Sequence, residues 1–238
     1  MEREGVRETF ERLSADYDAR FPAIIPRYSE FHGVIVQRAA EHPPPHPARG
    51  ASPGPWIDLG CGTGELSRRL LDAMPTAHVH AVDLSPAMVE RARAKLAPWA
   101  GRVTYDVADV RDAELPARVS GVVSALAVHH LEADEKRALF RRLARALQPG
   151  GLLVLGDAVT GGTAAYTRYY VERWAEHMRA SGLTEDEIAR VLDDHRRNDR
   201  FSSLEEHVEW LRAAGFTDVE CLWKHFLLVV LAAELPLS

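Results

Sequence analysis

The sequence predicts an α/β fold in which helices flank a doubly wound, mostly parallel sheet. Two observations carry this prediction. From Trp56 onward, short apolar runs alternate with amphipathic stretches, the pattern of repeated strand–helix units. The first of these runs, Trp56 to Leu59, leads into glycines at every second position, Gly60-Cys61-Gly62-Thr63-Gly64, and then into a helix pattern.

Taken in order, Val6, Phe10, Leu13 and Tyr17 fall on one face of a helix. Tyr28, Phe31, Val34 and Ile35 predict a second helix after Pro26, which stops before the loop His42-Pro43-Pro44-Pro45-His46-Pro47. That loop divides the chain into N-terminal helices with a proline-rich loop, residues 1–54, and a main domain, residues 55–238, with a helical lid insertion over residues 161–214. Strands are expected at Pro55–Leu59, His78–Leu84, Val103–Val107, Gly121–Ala127 and Leu152–Asp157, with helices at Glu65–Met74, Pro86–Leu96 and Ala133–Leu147. Ser85-Pro86 supplies an N-cap and a first-turn proline, and Gly150-Gly151 suits a left-handed helix end. In the insertion, Thr184 with Glu187 and Ser202 with Glu205 have capping-box spacing. The runs Val219–Trp223 and Phe226–Ala232 read as an antiparallel hairpin on the sheet edge.

Composition narrows the function. The chain has 238 residues, 46% hydrophobic and 27% charged, and no apolar run approaching the roughly 20 residues of a membrane span. Its first residues lack a basic and apolar leader, so a soluble, cytoplasmic protein is expected. Cys61 and Cys221 stand far apart without neighbours at metal-ligand spacing, which predicts reduced thiols and no metal site. The net charge of −6 disfavours a nucleic-acid partner, and the arginines at 141, 142, 145, 196, 197 and 200 read as solvated helix faces.

The chemistry centres on the glycine turn. Side chains there would block close approach of a ligand to the backbone, and the helix that follows offers unpaired N–H groups. The spacing differs from the G-x-G-x-x-G of dinucleotide binders, and Asp58, two residues before Gly60, would repel a diphosphate while suiting a cationic amino group. An amino-acid nucleoside fits better than NAD. Asp83, closing the next strand, can accept two ribose hydroxyls, and Asp109 after the third strand can reach an adenine amine, with Leu84 or Val110 against the ring faces.

These pieces resemble the class I S-adenosylmethionine-dependent methyltransferases. The resemblance rests on Asp58 to Gly64, Val82-Asp83-Leu84-Ser85-Pro86-Ala87-Met88, Ala108-Asp109-Val110-Arg111-Asp112 and Leu147-Gln148-Pro149-Gly150-Gly151. It implies a Rossmann-like, seven-stranded sheet with an antiparallel last strand, S-adenosyl-L-methionine as cofactor, and cofactor roles for Gly60, Gly62, Asp83 and Asp109. Asp58, Cys61, Gly64, Leu84, Met88, Val110 and Ala125 complete the candidate cofactor set from the main domain. Pro26-Arg27-Tyr28-Ser29, Gly182 to Ile188 and Ala214-Gly215-Phe216 are similar to carboxy-S-adenosylmethionine synthases, a likeness that would bring Tyr28 over the cofactor. That family has an arginine for the extra carboxylate where this chain aligns Leu192, so an ordinary methyl donor under a similar lid is expected.

Methyl transfer from a sulfonium is an in-line displacement that needs alignment and exclusion of water. Where the acceptor must lose a proton, His129 and His130, past the fourth strand, are the candidate catalytic bases. Tyr166, Tyr169, Tyr170 and Trp174 are expected in the lid, and His225 and Tyr17 are further candidates near the acceptor. The expected partner is a small-molecule acceptor, with a homodimer left open. Synthesis of a carboxylated cofactor and a non-catalytic cofactor-binding subunit are the alternative readings.

Overall fold

Residues 17–42 and 54–237 are described by the computed structural model. The expected first helix face at Val6, Phe10 and Leu13, and the proline-rich loop from Pro43, lie outside the described residues.

Seven strands form the sheet: β1 Trp56–Leu59, β2 Val79–Asp83, β3 Val103–Val107, β4 Val119–Ala125, β5 Leu147–Thr160, β6 Thr217–His225 and β7 Leu228–Glu234. Their order is 3-2-1-4-5-7-6, with β1 to β5 parallel and β7 antiparallel to both neighbours. A two-residue bridge, Ser202–Ser203, also pairs with the end of β5. The chain runs outward from β1 to β3 and then crosses back to β4, so the strand order reverses between β1 and β4. The loops there diverge and leave a crevice at the strands' carboxyl ends, where ligands bind in sheets of this kind.

The helices are α1 Tyr17–Ile24, α2 Tyr28–Glu41, α3 Glu65–Ala73, α4 Pro86–Lys95, α5 Ala133–Ala146, α6 Ala164–Ala180, α7 Glu185–Asn198 and α8 Leu204–Ala213. Because strand side chains alternate between faces, one chain of apolar residues serves two cores. Leu152, Val154, Leu228 and Val230 face one core with Phe31 and Ile35 of α2. Leu153, Leu155 and Leu231 face the other with Phe140 and Leu143 of α5 and Leu211 of α8. Helix α2 comes close because β5 carries Gly156, where a Cβ would stand 2.5 Å from both Phe31 and Ile35.

Local signals fixed most boundaries. Ser85 caps α4 by accepting from Met88 N, and Thr184 and Glu187 form the expected capping box of α7. Two details differ. The box of α8 is Ser203 with Glu206, one residue beyond the expected pair; the Ser202 hydroxyl instead accepts from buried Lys136 Nζ at 2.9 Å. Gly150 has a positive φ of 72°, yet α5 has already ended at Ala146; the residue lies within β5, where the pairing with β4 slips between Val119 and Gly121. No helix among the described residues is long and apolar enough to cross a membrane.

Candidate functional site

The crevice at the β1–β4 switch holds a cavity of about 320 Å³. Gly60 and Gly62 form its floor, Asp83 and Leu84 end β2 beside it, and Asp109 and Val110 follow β3. Ala125, Leu126 and Ala127 continue β4 along the opposite wall. The three glycines of the turn have φ values of 74°, 52° and 83°, a left-handed backbone that other residues adopt at a cost. They differ in what surrounds them. A Cβ on Gly60 would strike Ala127 Cβ, one on Gly64 would crowd Ala92 and Leu96, and one on Gly62 would meet no protein atom within 4 Å. Gly60 and Gly64 are thus demanded by packing, whereas Gly62 keeps open the space above the turn.

Asp83 is locked by Gly62 N at 2.8 Å and Ser85 N at 2.9 Å, while burial pushes its carboxyl up from the ordinary range. Asp58 is buried behind the turn, where one oxygen accepts from Ser67 Oγ at 2.6 Å. The other, Oδ1, is buried without a hydrogen-bond partner among the described residues, and burial raises this carboxyl to about 7. Asp109 lines the cavity but is gripped by Arg111 at 2.6 and 2.8 Å, and Arg111 also reaches Glu135. A Cβ-free cradle, paired carboxylates at successive strand ends and an orphaned buried oxygen fit a nucleoside bearing a cationic amino acid.

A second cavity of about 140 Å³ adjoins the first, and Tyr17, Leu126, His130 and Asn198 belong to both walls. Its lining is mainly apolar, with Phe21 and Ile24 of α1, Trp174 of α6, Val191 of α7, Phe201 and Leu228. Leu126 between the cavities has φ 57° and donates its N–H to Gly156 O at 2.9 Å. At the polar end, buried His129 donates from Nδ1 to Asp157 Oδ1 at 2.5 Å. Burial lowers the pKa of both imidazoles, but for His129 the Asp157 and Asp199 carboxylates outweigh it and raise the balance. Asp199 receives His195 Nδ1 at 2.8 Å and lies 3.1 Å from His130 Nδ1.

The sequence-derived candidates divide accordingly. Gly60, Gly62, Asp83, Leu84, Asp109, Val110, Ala125 and His130 line the larger cavity, and His129 and His130 line the smaller. Asp58, Cys61, Gly64 and Met88 stand behind the larger wall, with Cys61 and Met88 buried in the core. Tyr28 lies in neither wall; it sits in a shallow groove with Glu65, Arg69 and Lys95. Tyr17, eleven residues earlier in the chain, lines the larger cavity, and Arg27 in left-handed backbone stands between α1 and α2. Of the four aromatics of α6 expected in a lid, Trp174 lines the second cavity and the three tyrosines line neither; Tyr166 and Tyr169 are exposed, and Tyr169 and Tyr170 pack on Phe226. His225 lines neither cavity. Sequence reasoning passed over Leu126, Asp157 and Asp199. Asp157 had a signal, a carboxylate closing the expected fifth strand as Asp83 closes the second.

A methyltransferase-domain family matches residues 57–151. The carboxy-S-adenosyl-L-methionine synthase of Aeromonas hydrophila is 30% identical over 203 residues, spanning 84% of this chain and 78% of the relative. The enzyme of the same name from a Geobacter species is 30% identical over 223 residues, spanning 90% and 89%. Among solved structures, a Burkholderia thailandensis 1,6-didemethyltoxoflavin-N1-methyltransferase, with its substrate and S-adenosylhomocysteine bound, superposes with a TM-score of 0.62 at 18% identity, covering 98% of this chain and 88% of that one. On this similarity, with its seven-stranded sheet and glycine-turn crevice, the chain belongs to the class I S-adenosylmethionine-dependent methyltransferase family, with carboxy-S-adenosyl-L-methionine synthases as relatives along most of its length.

Proposed function

We propose that this chain transfers a methyl group from S-adenosyl-L-methionine to a small-molecule acceptor seated in the second cavity. The observation that carries this reading is the pair of abutting cavities, one built from the glycine turn and strand-end carboxylates, the other apolar with a histidine–carboxylate end. Gly60, Gly62 and Asp83 hold the ribose and backbone side of the cofactor, Leu84, Asp109 and Val110 its base, and Ala125 its flank. Asp58 neutralises the amino group from behind the turn, and Cys61, Gly64 and Met88 brace that wall. When bound, the cofactor supplies an electrophilic methyl on a sulfonium. Tyr17 and Trp174 exclude water, and His129 and His130 act on the acceptor at the wall the cavities share. Incubation with labelled cofactor and a panel of metabolites with hydroxyl, thiol or amine groups should label at least one; no labelled product from any of them would overturn the reading.

The relatives weigh toward a second reading, synthesis of a carboxylated cofactor from prephenate, since identity of about 30% extends over most of both chains. Two features of the site weigh against it. Leu192, aligned with that family's arginine, packs against the apolar core and lines neither cavity. The guanidiniums of Arg111, Arg197 and Arg200 at the larger cavity each face a carboxylate of the chain itself, Asp109, Asp193 and Glu132. Mass spectrometry of the copurified cofactor separates the two, because an added carboxyl group would favour the synthase.

A further inference from the structure

Between the two cavities, the geometry points to a transition-metal site: His129 Nε2, an imidazole nitrogen of His130 and a carboxylate oxygen of Asp199 as ligands of one divalent cation such as Zn²⁺. The ligand atoms offered by these three residues lie within 4.8 Å of one another. His129 Nε2 and Asp199 Oδ1 are 3.7 Å apart, too long for a hydrogen bond. Two ligands on one zinc at bond lengths of about 2.1 Å and a tetrahedral angle stand roughly 3.4 Å apart, so this spacing suits a shared ion. His130 Nδ1 is 3.1 Å from the same oxygen.

The surroundings resemble those of a built metal site. Metal-ligating histidines commonly donate their second ring nitrogen to a carboxylate, which fixes the ring and raises its basicity. His129 does this with Asp157, a residue wholly buried at the end of the sheet core. The second oxygen of Asp199 is held in turn by His195 Nδ1 at 2.8 Å. The three ligands come from two distant segments, the turn after β4 and the end of α7, and Arg200 N–H to His129 O at 2.7 Å ties these together beside the site. Two nitrogens and one oxygen suit zinc or iron(II) better than calcium or magnesium, which prefer all-oxygen sets.

Three protein ligands leave an open position, as in catalytic rather than structural sites. All three residues line the second cavity, so that position faces the space proposed for the acceptor. An acceptor bound through an ionised oxygen or sulfur would be the fourth ligand, which narrows the acceptor to compounds with an acidic hydroxyl or thiol. Only this last step rests on the methyl-transfer reading; metal binding can be measured without turnover.

The test uses tag-free full-length chain, stripped with chelator and confirmed to bind S-adenosylhomocysteine. Zinc titration followed by gel filtration and elemental analysis should leave about one ion per chain, and cobalt(II) should give the intense visible absorption of a four-coordinate centre. Asp199→Asn and the milder His130→Gln should each lower zinc affinity at least tenfold with unchanged circular dichroism, whereas His80→Gln, in β2 and outside both cavities, should not. Failure of the folded chain to retain zinc or cobalt, or equal retention by the Asp199 and His130 variants, would overturn the proposal and leave the cluster as a proton-holding network. Failure of the methyl-transfer reading would appear separately, as a metal-loaded chain that methylates nothing.

Discussion

Gly62 and Asp58 carry opposite lessons at the scale of single residues. At Gly62 the added methyl of alanine meets no protein atom, so Gly62→Ala should fold, losing about 1 kcal/mol to its positive φ, yet weaken S-adenosylhomocysteine binding at least tenfold by isothermal calorimetry. Equal affinity would remove the turn from the site. At Asp58 the effect is electrostatic. Burial raises its carboxyl from 3.8 to about 7, so the folded state binds a proton that the unfolded chain has released, and stability from this group fades as pH climbs between those values. A cation placed beside Asp58 would expel that proton. Cofactor binding at pH 6 should therefore release protons, detected as a binding enthalpy that varies with the buffer's ionisation enthalpy, and Asp58→Asn should abolish the variation. Both residues were legible in the sequence, because a glycine turn behind a strand-end acid is a local pattern. Asp199 was not, since its meaning depends on His129 and His130, which are some seventy positions away and meet it only after folding.

Among the elements, α1 is the one whose placement the sequence could least specify. It has little helical chain of its own to stabilise it and is anchored by contacts from elsewhere. Trp174 Nε1 of α6 donates to Ile24 O at 2.7 Å, Thr63 of the glycine turn donates to Asp18 at 2.6 Å, and Lys95 of α4 reaches Asp18 at 2.7 Å. The helix is thereby fastened to α6, α4 and the glycine turn. Trp174→Ala removes the buried indole and its hydrogen bond. Amide exchange across residues 17–24 should then rise by an order of magnitude or more while β1 to β5 stay protected; unchanged exchange in α1 would show that Trp174 does not hold it. The tyrosines of α6 show the other limit of pattern reading: an aromatic run marks a helix but does not say which turn faces inward, and here Tyr166 and Tyr169 are exposed whereas Tyr170 packs at the edge of the core beside Phe226.

For the whole molecule, the sheet's two faces make stability and site geometry interdependent. Phe31 is completely buried where α2 meets Gly156 in β5, and the next residue along β5 is Asp157, which orients His129. Phe31→Ala should cost about 3–5 kcal/mol, read as a fall in urea midpoint at constant m-value. A loss below 1 kcal/mol would mean that α2 does not close this core. The mostly parallel sheet and the antiparallel hairpin followed from alternating apolar runs and the family resemblance, because such patterns report which side of a strand is buried. They do not report how two distant loops converge, and the wall between the cavities is made by that convergence.

Part of that wall, with Tyr17, His130 and Asn198, is Leu126, a bulky residue whose left-handed backbone costs roughly 1–2 kcal/mol relative to ordinary geometry. Glycine would relieve that strain, incur a comparable entropic penalty and lose the half-buried side chain's packing on the core, about 1–2 kcal/mol, so Leu126→Gly should lower the melting temperature by a few degrees while widening the passage between the compartments and broadening the range of molecules accepted. Where discrimination rests on one side chain that supplies only a small part of the thermal resilience, a lineage can trial new chemistries there at little cost to the scaffold.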